Sequence, residues 1–412
     1  MSVPSEIAWP PTPEELDCGS VNLLHMELLH HFEKFTQSTL IFQGIWPTML
    51  RLAFQSQQHS FLVNAMLSLS AAHLAYLVPG DSRYHRAKHT LLDKALHDYR
   101  EALSAPITAD NCDALLGGAV LVHHLLWCDL SFMDGQTGGG GQPLDLSGDR
   151  LYWLATGQRQ IFFMAWPLFQ SHKSVFSRVA VLQPCMALED IVGTCGLNWR
   201  RYAKGFMELY DNPRYHGGRD AFPTPFNQPA PSSTAASTNS RSEASPPLGF
   251  HPHTARMHKV LTLWQSYKEG EQFIKSGGAP DEALTRAAYK RLVARLAIAM
   301  AYIADRDGCP ASSTFSQPDA ATGHPLLRRE DVVRYVMTFA MLCFGPLLPL
   351  ISSGDSRILV LLFHVYRAVD KIFQTDNYWW SRRRVSVMQA AIMDELHARG
   401  LDVCLRGLGE LM

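Results

Sequence analysis

CDALLGGAVLVHHLLWCDL, residues 112 to 130, is the stretch whose reading decides the fold. Between Asp113 and Asp129 no side chain carries a fixed charge, and apolar residues occupy every side of a helical projection. A helix that is hydrophobic all round belongs in the centre of a large protein or in a membrane. The uncharged run falls short of the ~20 apolar residues a membrane span needs, and so does every other stretch of the chain. The expectation is a core helix with other helices stacked around it, and no membrane span.

The flanking segments supply those helices. In FLVNAMLSLSAAHLAYL, residues 61 to 77, Leu62, Met66, Leu69, His73 and Tyr76 recur at steps of four and three and share one face. LYWLATGQRQIFFMAW, 151 to 166, carries a second stripe and is expected to stop at Pro167, which has no N–H to donate. DEALTRAAYKRLVARLAIAMAYIADRDG, 281 to 308, opens on a capping Asp281 and ends on Gly308. REDVVRYVMTFAMLCF, 329 to 344, and SRILVLLFHVYRAVDKIF, 356 to 373, continue the period, with Gly345, Pro346 and Pro349 breaking the apolar run between them. Alternating strand patterns are absent. The fold class is therefore all-α, a multi-helix bundle.

Composition narrows the function classes. Of 412 residues 47% are hydrophobic, ample for a large core, and 37 Lys and Arg balance 38 Asp and Glu. No basic excess marks a nucleic-acid surface, and no acidic excess marks a solvating tail. None of the eight cysteines forms a C-x-x-C pair, and the closest, Cys185 and Cys195, stand ten apart. That spacing argues against a metal site and against a disulfide framework. The opening residues lack the basic and apolar regions of a signal peptide.

Residues 1–20 read as an N-terminal extension and 21–412 as a single helical domain. Within it, 135–149 is a glycine-rich loop without the G-K-[ST] of a phosphate cradle. Residues 223–254, rich in Pro, Ser, Ala and Thr, are expected to be a disordered insertion.

Several pieces together resemble the C-terminal regulatory domain of fungal zinc-cluster transcription factors, in particular the sterol-uptake-regulator branch. They are LLHMELLHHFEKFTQSTL, Trp46, FLVNAMLSLSAAHLAYL, HDYREALSAPITADNCDALLGGAVLV, WLATGQRQIFFMAW and ILVLLFHVYRAVDKIFQTDNYWWSRRRVSVMQAAI. They span roughly residues 20 to 398. The resemblance implies a helical bundle with an apolar pocket for a lipophilic small molecule. The family's six-cysteine module, which begins C-x2-C-x6-C, is not written in these residues, so no direct DNA binding through it is expected. Related fungal proteins without that module include hetero-Diels–Alderases, which join a tropolone-type quinone methide to a terpene. Two functions follow as expectations. One is a pericyclase of secondary metabolism, cytoplasmic and without cofactor. The other is a ligand-sensing or dimerising regulator, nuclear, with a second copy of the chain as a partner.

The resemblance places the pocket in the C-terminal half. His364, Tyr366 and His124 are the side chains there able to donate a proton, and they are the catalytic candidates. Trp127, Phe162, Phe163, Trp166, Met341, Phe344 and Trp380 are the candidate lining, although aromatic stripes at helical spacing also build ordinary cores. His123 and His124 point about 100° apart on a helix, so one cavity can hold only one of them. His73 lies on an apolar face and reads as structural. WWSRRRVSVM, 379 to 388, reads as a solvated basic face with Trp379 and Trp380 packed inward. Hydrolytic, nucleotide-dependent and metal-dependent motifs are missing, whereas a pericyclic step needs only apolar confinement and a few hydrogen-bond donors.

Overall fold

Among the described residues every regular element is helical and there is no strand. The structure, a computed structural model, describes residues 22–134, 136, 143–171, 174–177, 188, 192–193, 196–217, 281–308, 329–343, 345–374 and 376–401. The expected extension at 1–20 and the expected insertion at 223–254 lie outside them.

The core helix is as expected. It is α5, Cys112–Cys128, and all of its residues but Asp113, Val120 and Cys128 are buried. Around it stand α1 (Leu23–His31), α2 (Trp46–Gln55), α3 (Ser60–Leu77), α4 (Ser82–Ser104) and α6 (Arg150–Ser171). The later elements are α7 (Trp199–Tyr210), α8 (Glu282–Gly308), α9 (Arg329–Met337), α10 (Leu347–Ser352), α11 (Ser356–Ile372) and α12 (Trp379–Ala398). One continuous hydrophobic core runs from Phe32 to Leu401, with a smaller cluster of Leu28, Leu67, Ala71, Ala75, Tyr84 and Leu91 where α1 lies on α3 and α4.

Two segments, Gln57–Leu77 and Cys112–Met133, are long and apolar enough to cross a membrane by length and composition. Both are mostly buried within the bundle, so other helices cover their apolar sides. Gly117 and Gly118 let α5 come close to its neighbours. A Cβ at 117 would stand 2.6 Å from the Met49 sulfur, and one at 118 would stand 2.7 Å from the Phe61 ring.

Local chemistry sets the helix ends. Asp281 caps α8 by accepting from the backbone N–H of Ala283 at 2.9 Å and of Leu284 at 3.3 Å. Asp355 caps α11 in the same way and also pairs with Arg357. Two expectations need correction. Helix α6 continues four residues past Pro167 to Ser171, because a proline forfeits one intrahelical bond without ending every helix. The 329–344 segment is helical only to Met337. There Arg295 of α8 donates to the carbonyl of Tyr335 at 2.9 Å and to the Thr338 hydroxyl, and a 3-10 turn, Ala340–Leu342, follows. The arms of the glycine-rich loop are pinned by Gln136, which donates to the Asp145 carbonyl at 2.9 Å and accepts from the Asp145 N–H at 2.8 Å.

Candidate functional site

Helices α5, α6, α11 and α12 meet around a side chain that belongs, by sequence, to the basic run at 382–384. Arg384 is 1% exposed, and Trp379 and Trp380 beside it are also buried. The expected solvated face therefore holds for Arg383, which is exposed, and fails for Arg384. Its stripe explains why. Trp380, Arg384, Met388, Ile392 and Leu396 follow one another at steps of four, and all five are buried.

The guanidinium spends its donors on oxygens. It binds Asp149 through two bonds, at 2.7 and 3.1 Å. It donates to the carbonyls of Asp129 at 2.6 Å, Leu126 at 3.1 Å and Trp127 at 3.3 Å. These carbonyls lie at the C-terminal end of α5, where the Leu126 carbonyl also accepts from the Asp129 N–H at 3.2 Å and the helix dipole favours a cation. Burial acts to lower the pKa of Arg384, but the Asp149 carboxylate outweighs it and holds the group well above its ordinary value. A buried pair of this kind persists because each charge is matched and hydrogen-bonded.

Tyr366 joins this centre. Its hydroxyl is 2.9 Å from that of Tyr152 and 3.4 Å from Arg384. Burial pushes the pKa of both phenols up, so neither ionises near neutrality. The Tyr366 ring meets Trp127 edge-on at 6.3 Å, Trp127 meets Trp380 at 6.0 Å, and Trp380 meets His124 at 5.0 Å.

His124 is fully engaged. Nδ1 lies 2.8 Å from the Val120 carbonyl, which can only accept, so Nδ1 carries the hydrogen. Nε2 is left to accept from the Ile41 N–H at 3.4 Å. Burial pushes its pKa down to about 3, which keeps it neutral. This residue fastens the segment before α2 to the core helix. Next to that segment, Trp379 donates to the Thr39 hydroxyl at 3.0 Å, and Trp380 donates to the Thr39 carbonyl at 3.1 Å. His73 stacks flat on Trp379 with ring centroids 4.5 Å apart, its Nδ1 3.2 Å from both His31 and Thr36. Its structural role is as expected.

The candidate residues thus divide. His124, Trp127, Tyr366 and Trp380 come together around the buried guanidinium. His364 does not join them. Two positions from Tyr366, and so about 200° round α11, it meets Phe206 of α7 edge-on at 5.4 Å. Phe162 is half-buried and meets the buried Phe163 at 6.1 Å, and Met341 is half-buried against the core. Phe344 and the side chain of Trp166 lie outside the described residues. Sequence reasoning missed Arg384, Asp149 and Tyr152. The four-step stripe through Trp380 signals the first. The other two are reached only by folding, since Asp149 is 235 positions from its partner. No group of three or more His, Cys, Asp or Glu able to hold a metal occurs among the described residues.

Comparisons with known proteins point one way. A Zn(2)-C6 fungal-type transcription factor of Gibberella zeae is 30% identical over 127 residues, covering 29% of this chain and 26% of that protein. Sterol uptake control protein 2 of Saccharomyces cerevisiae is 30% identical over 162 residues, 38% of this chain and 17% of the relative. Its Candida albicans namesake is 26% identical over 182 residues, 42% of this chain and 23% of the relative. The chain spans about a quarter or less of the length of these curated relatives. No family model matches the sequence, and no solved structure matches it. The chain is therefore similar, over part of its length, to fungal transcription factors and sterol uptake control proteins.

Proposed function

We propose that this chain is the regulatory helical domain of a fungal transcriptional regulator, and that it responds to a lipophilic molecule of the sterol class. The similarity to the three fungal proteins carries the reading, since each is named as a transcription factor or a sterol uptake control protein. The polar centre is consistent with it. His124 has both nitrogens engaged, and Tyr366 is bound to Tyr152 and Arg384, so neither is free to shuttle a proton to a substrate. Nothing in this centre favours the pericyclase expectation over the regulator. Nuclear residence goes with the regulator reading.

The test joins the whole chain to a heterologous DNA-binding domain above a reporter gene in a sterol auxotroph. The expected outcome is a reporter that changes severalfold between sterol-replete and sterol-depleted growth. The purified chain should also bind dehydroergosterol, read as energy transfer from its tryptophans. A reporter indifferent to sterol, with no transfer at micromolar sterol, would overturn the reading.

A further inference from the structure

Helix α4 buries Tyr84, Leu91, Leu92, Ala95 and Tyr99, and Tyr99 donates to the Leu115 carbonyl of α5 at 2.7 Å. Away from that buried face, His85, His89, Asp93, His97 and Glu101 follow one another at steps of four, and all five are exposed. Residues four apart on a helix are surface neighbours, with Cβ atoms ~5–6 Å apart. Each member of the row therefore stands beside the next. Among the described residues no hydrogen bond or ion pair engages any of the five side chains. A solvated helix face usually gains support from acids paired with Lys or Arg at this spacing. This row holds no Lys or Arg. Every member is an imidazole or a carboxylate, the groups that lend an electron pair to a metal ion.

His85 and His89 are the pair best suited to one ion. Two tetrahedral bonds of ~2.0–2.1 Å put the ligating nitrogens ~3.3 Å apart. Imidazoles one helical turn apart can rotate to that separation, and the same spacing serves the zinc-binding pair of H-E-x-x-H helices. The HRAKH run here lacks the glutamate, so it carries none of that hydrolytic chemistry. Asp93 stands one turn beyond His89, within reach of the ring N–H that a metal would leave free. A carboxylate so placed fixes the tautomer of a ligating imidazole. No three such groups converge among the described residues. The ion would thus take two protein nitrogens and keep its other positions for water or a further ligand. Neutral imidazoles suit zinc, copper and nickel, whereas calcium and magnesium require oxygen ligands. A hard cation would also meet the exposed Arg86 and Lys94 nearby on α4.

We propose that His85 and His89 form a surface site for a divalent transition-metal ion on the outer face of α4. The site is distinct from the polar centre around Arg384, and it stands or falls independently of the sterol response.

The full chain, cleared of metal by a chelator, is titrated with Zn2+ against a fluorescent zinc indicator. The expected result is micromolar binding that excess Mg2+ does not displace. His85→Asn and His89→Asn, both at exposed positions and checked by thermal melt, should each weaken it at least ~tenfold, because the remaining imidazole loses its chelating partner. The double variant His89→Asn with Thr90→His keeps the number of histidines but turns the second ring ~140° away from the first. It should bind as weakly as His89→Asn alone. Wild-type affinity in that variant overturns the proposal, because the metal is then held by other groups. A second measurement needs no variant. Carbethoxylation of the wild-type chain, resolved residue by residue by mass spectrometry, should slow severalfold at His85 and His89 under saturating Zn2+. Unchanged rates at both residues overturn the assignment, and so does a wild type that binds no Zn2+ at micromolar concentration.

Discussion

Replacing Arg384 with Met tests the account of the polar centre. The side chains are similar in length, so little volume is lost, but the donors to Asp149, Leu126, Trp127, Asp129 and Tyr366 are. The dominant cost is the Asp149 carboxylate, 0% exposed and left without a counter-charge. Removing one partner of a buried pair costs ~3–5 kcal/mol, and the bonds lost at the Trp127 and Asp129 carbonyls push the loss to the upper end, about 5 kcal/mol. That is a large share of the ~5–15 kcal/mol by which folded domains exceed their unfolded states. Urea unfolding followed by tryptophan fluorescence reads it, because Trp127 and Trp380 lie beside the site. The double variant Arg384→Met with Asp149→Leu removes the stranded charge. It should recover at least ~2 kcal/mol relative to the sum of the two single losses. A loss under ~1 kcal/mol for Arg384→Met, or a strictly additive double variant, would refute the reasoning.

Three further outcomes follow from the same structure. Burial depresses the pKa of His123 and His73 to about 4 and of His124 to about 3, below the ~6.5 of a free imidazole. The unfolded chain therefore binds the extra protons. Stability should be flat above pH ~6.5 and fall as pH drops toward 4, with a slope of up to ~1.4 kcal/mol per pH unit for each buried ring; His124→Gln should shallow that slope by about one proton, and a urea midpoint unchanged from pH 7 to 5 sinks the idea. Gly118→Ala should destabilise by ~1–3 kcal/mol, because its methyl meets the Phe61 and Tyr99 rings. Gly117→Ala should cost less, since the flexible Met49 thioether can move; equal effects in urea melts would contradict this packing. Asp281→Ala should cost ~1 kcal/mol as the loss of a helix cap, whereas Asp355→Ala should cost more because it also leaves the buried Arg357 with only the longer pairing to Glu282 at 3.7 Å; matched losses would show that the second carboxylate does no more than cap its helix.

The fold was legible because its signals are local. α5 declares itself by the absence of charge, α3 by the steps from Leu62 to His73, and α8 by Asp281 and Gly308. The errors arose where a tertiary contact overrides local chemistry, as where Arg295 reaches the end of α9 at Thr338. The site was legible only in part. Aromatic content led to Trp127 and Trp380, and the 100° step correctly separated His123 from His124. It could not tell that His124 is used up by Val120 and Ile41. Nor does a run of three arginines say which one turns inward. That depends on Asp149, whose position the bundle alone supplies.

The bond from Arg384 to the carbonyl of Trp127 joins residues 257 positions apart in the chain. Translation at ~5–20 residues per second would complete α5 roughly a quarter to most of a minute before its guanidinium emerges. Through that interval the helix end and the Asp149 carboxylate must stay hydrated, because neither can be buried at acceptable cost alone. The first half of the chain can therefore gather its helices as they are made but cannot close over them. Closure waits for α12, so the apolar faces that it covers on the earlier helices stay open until that helix has emerged.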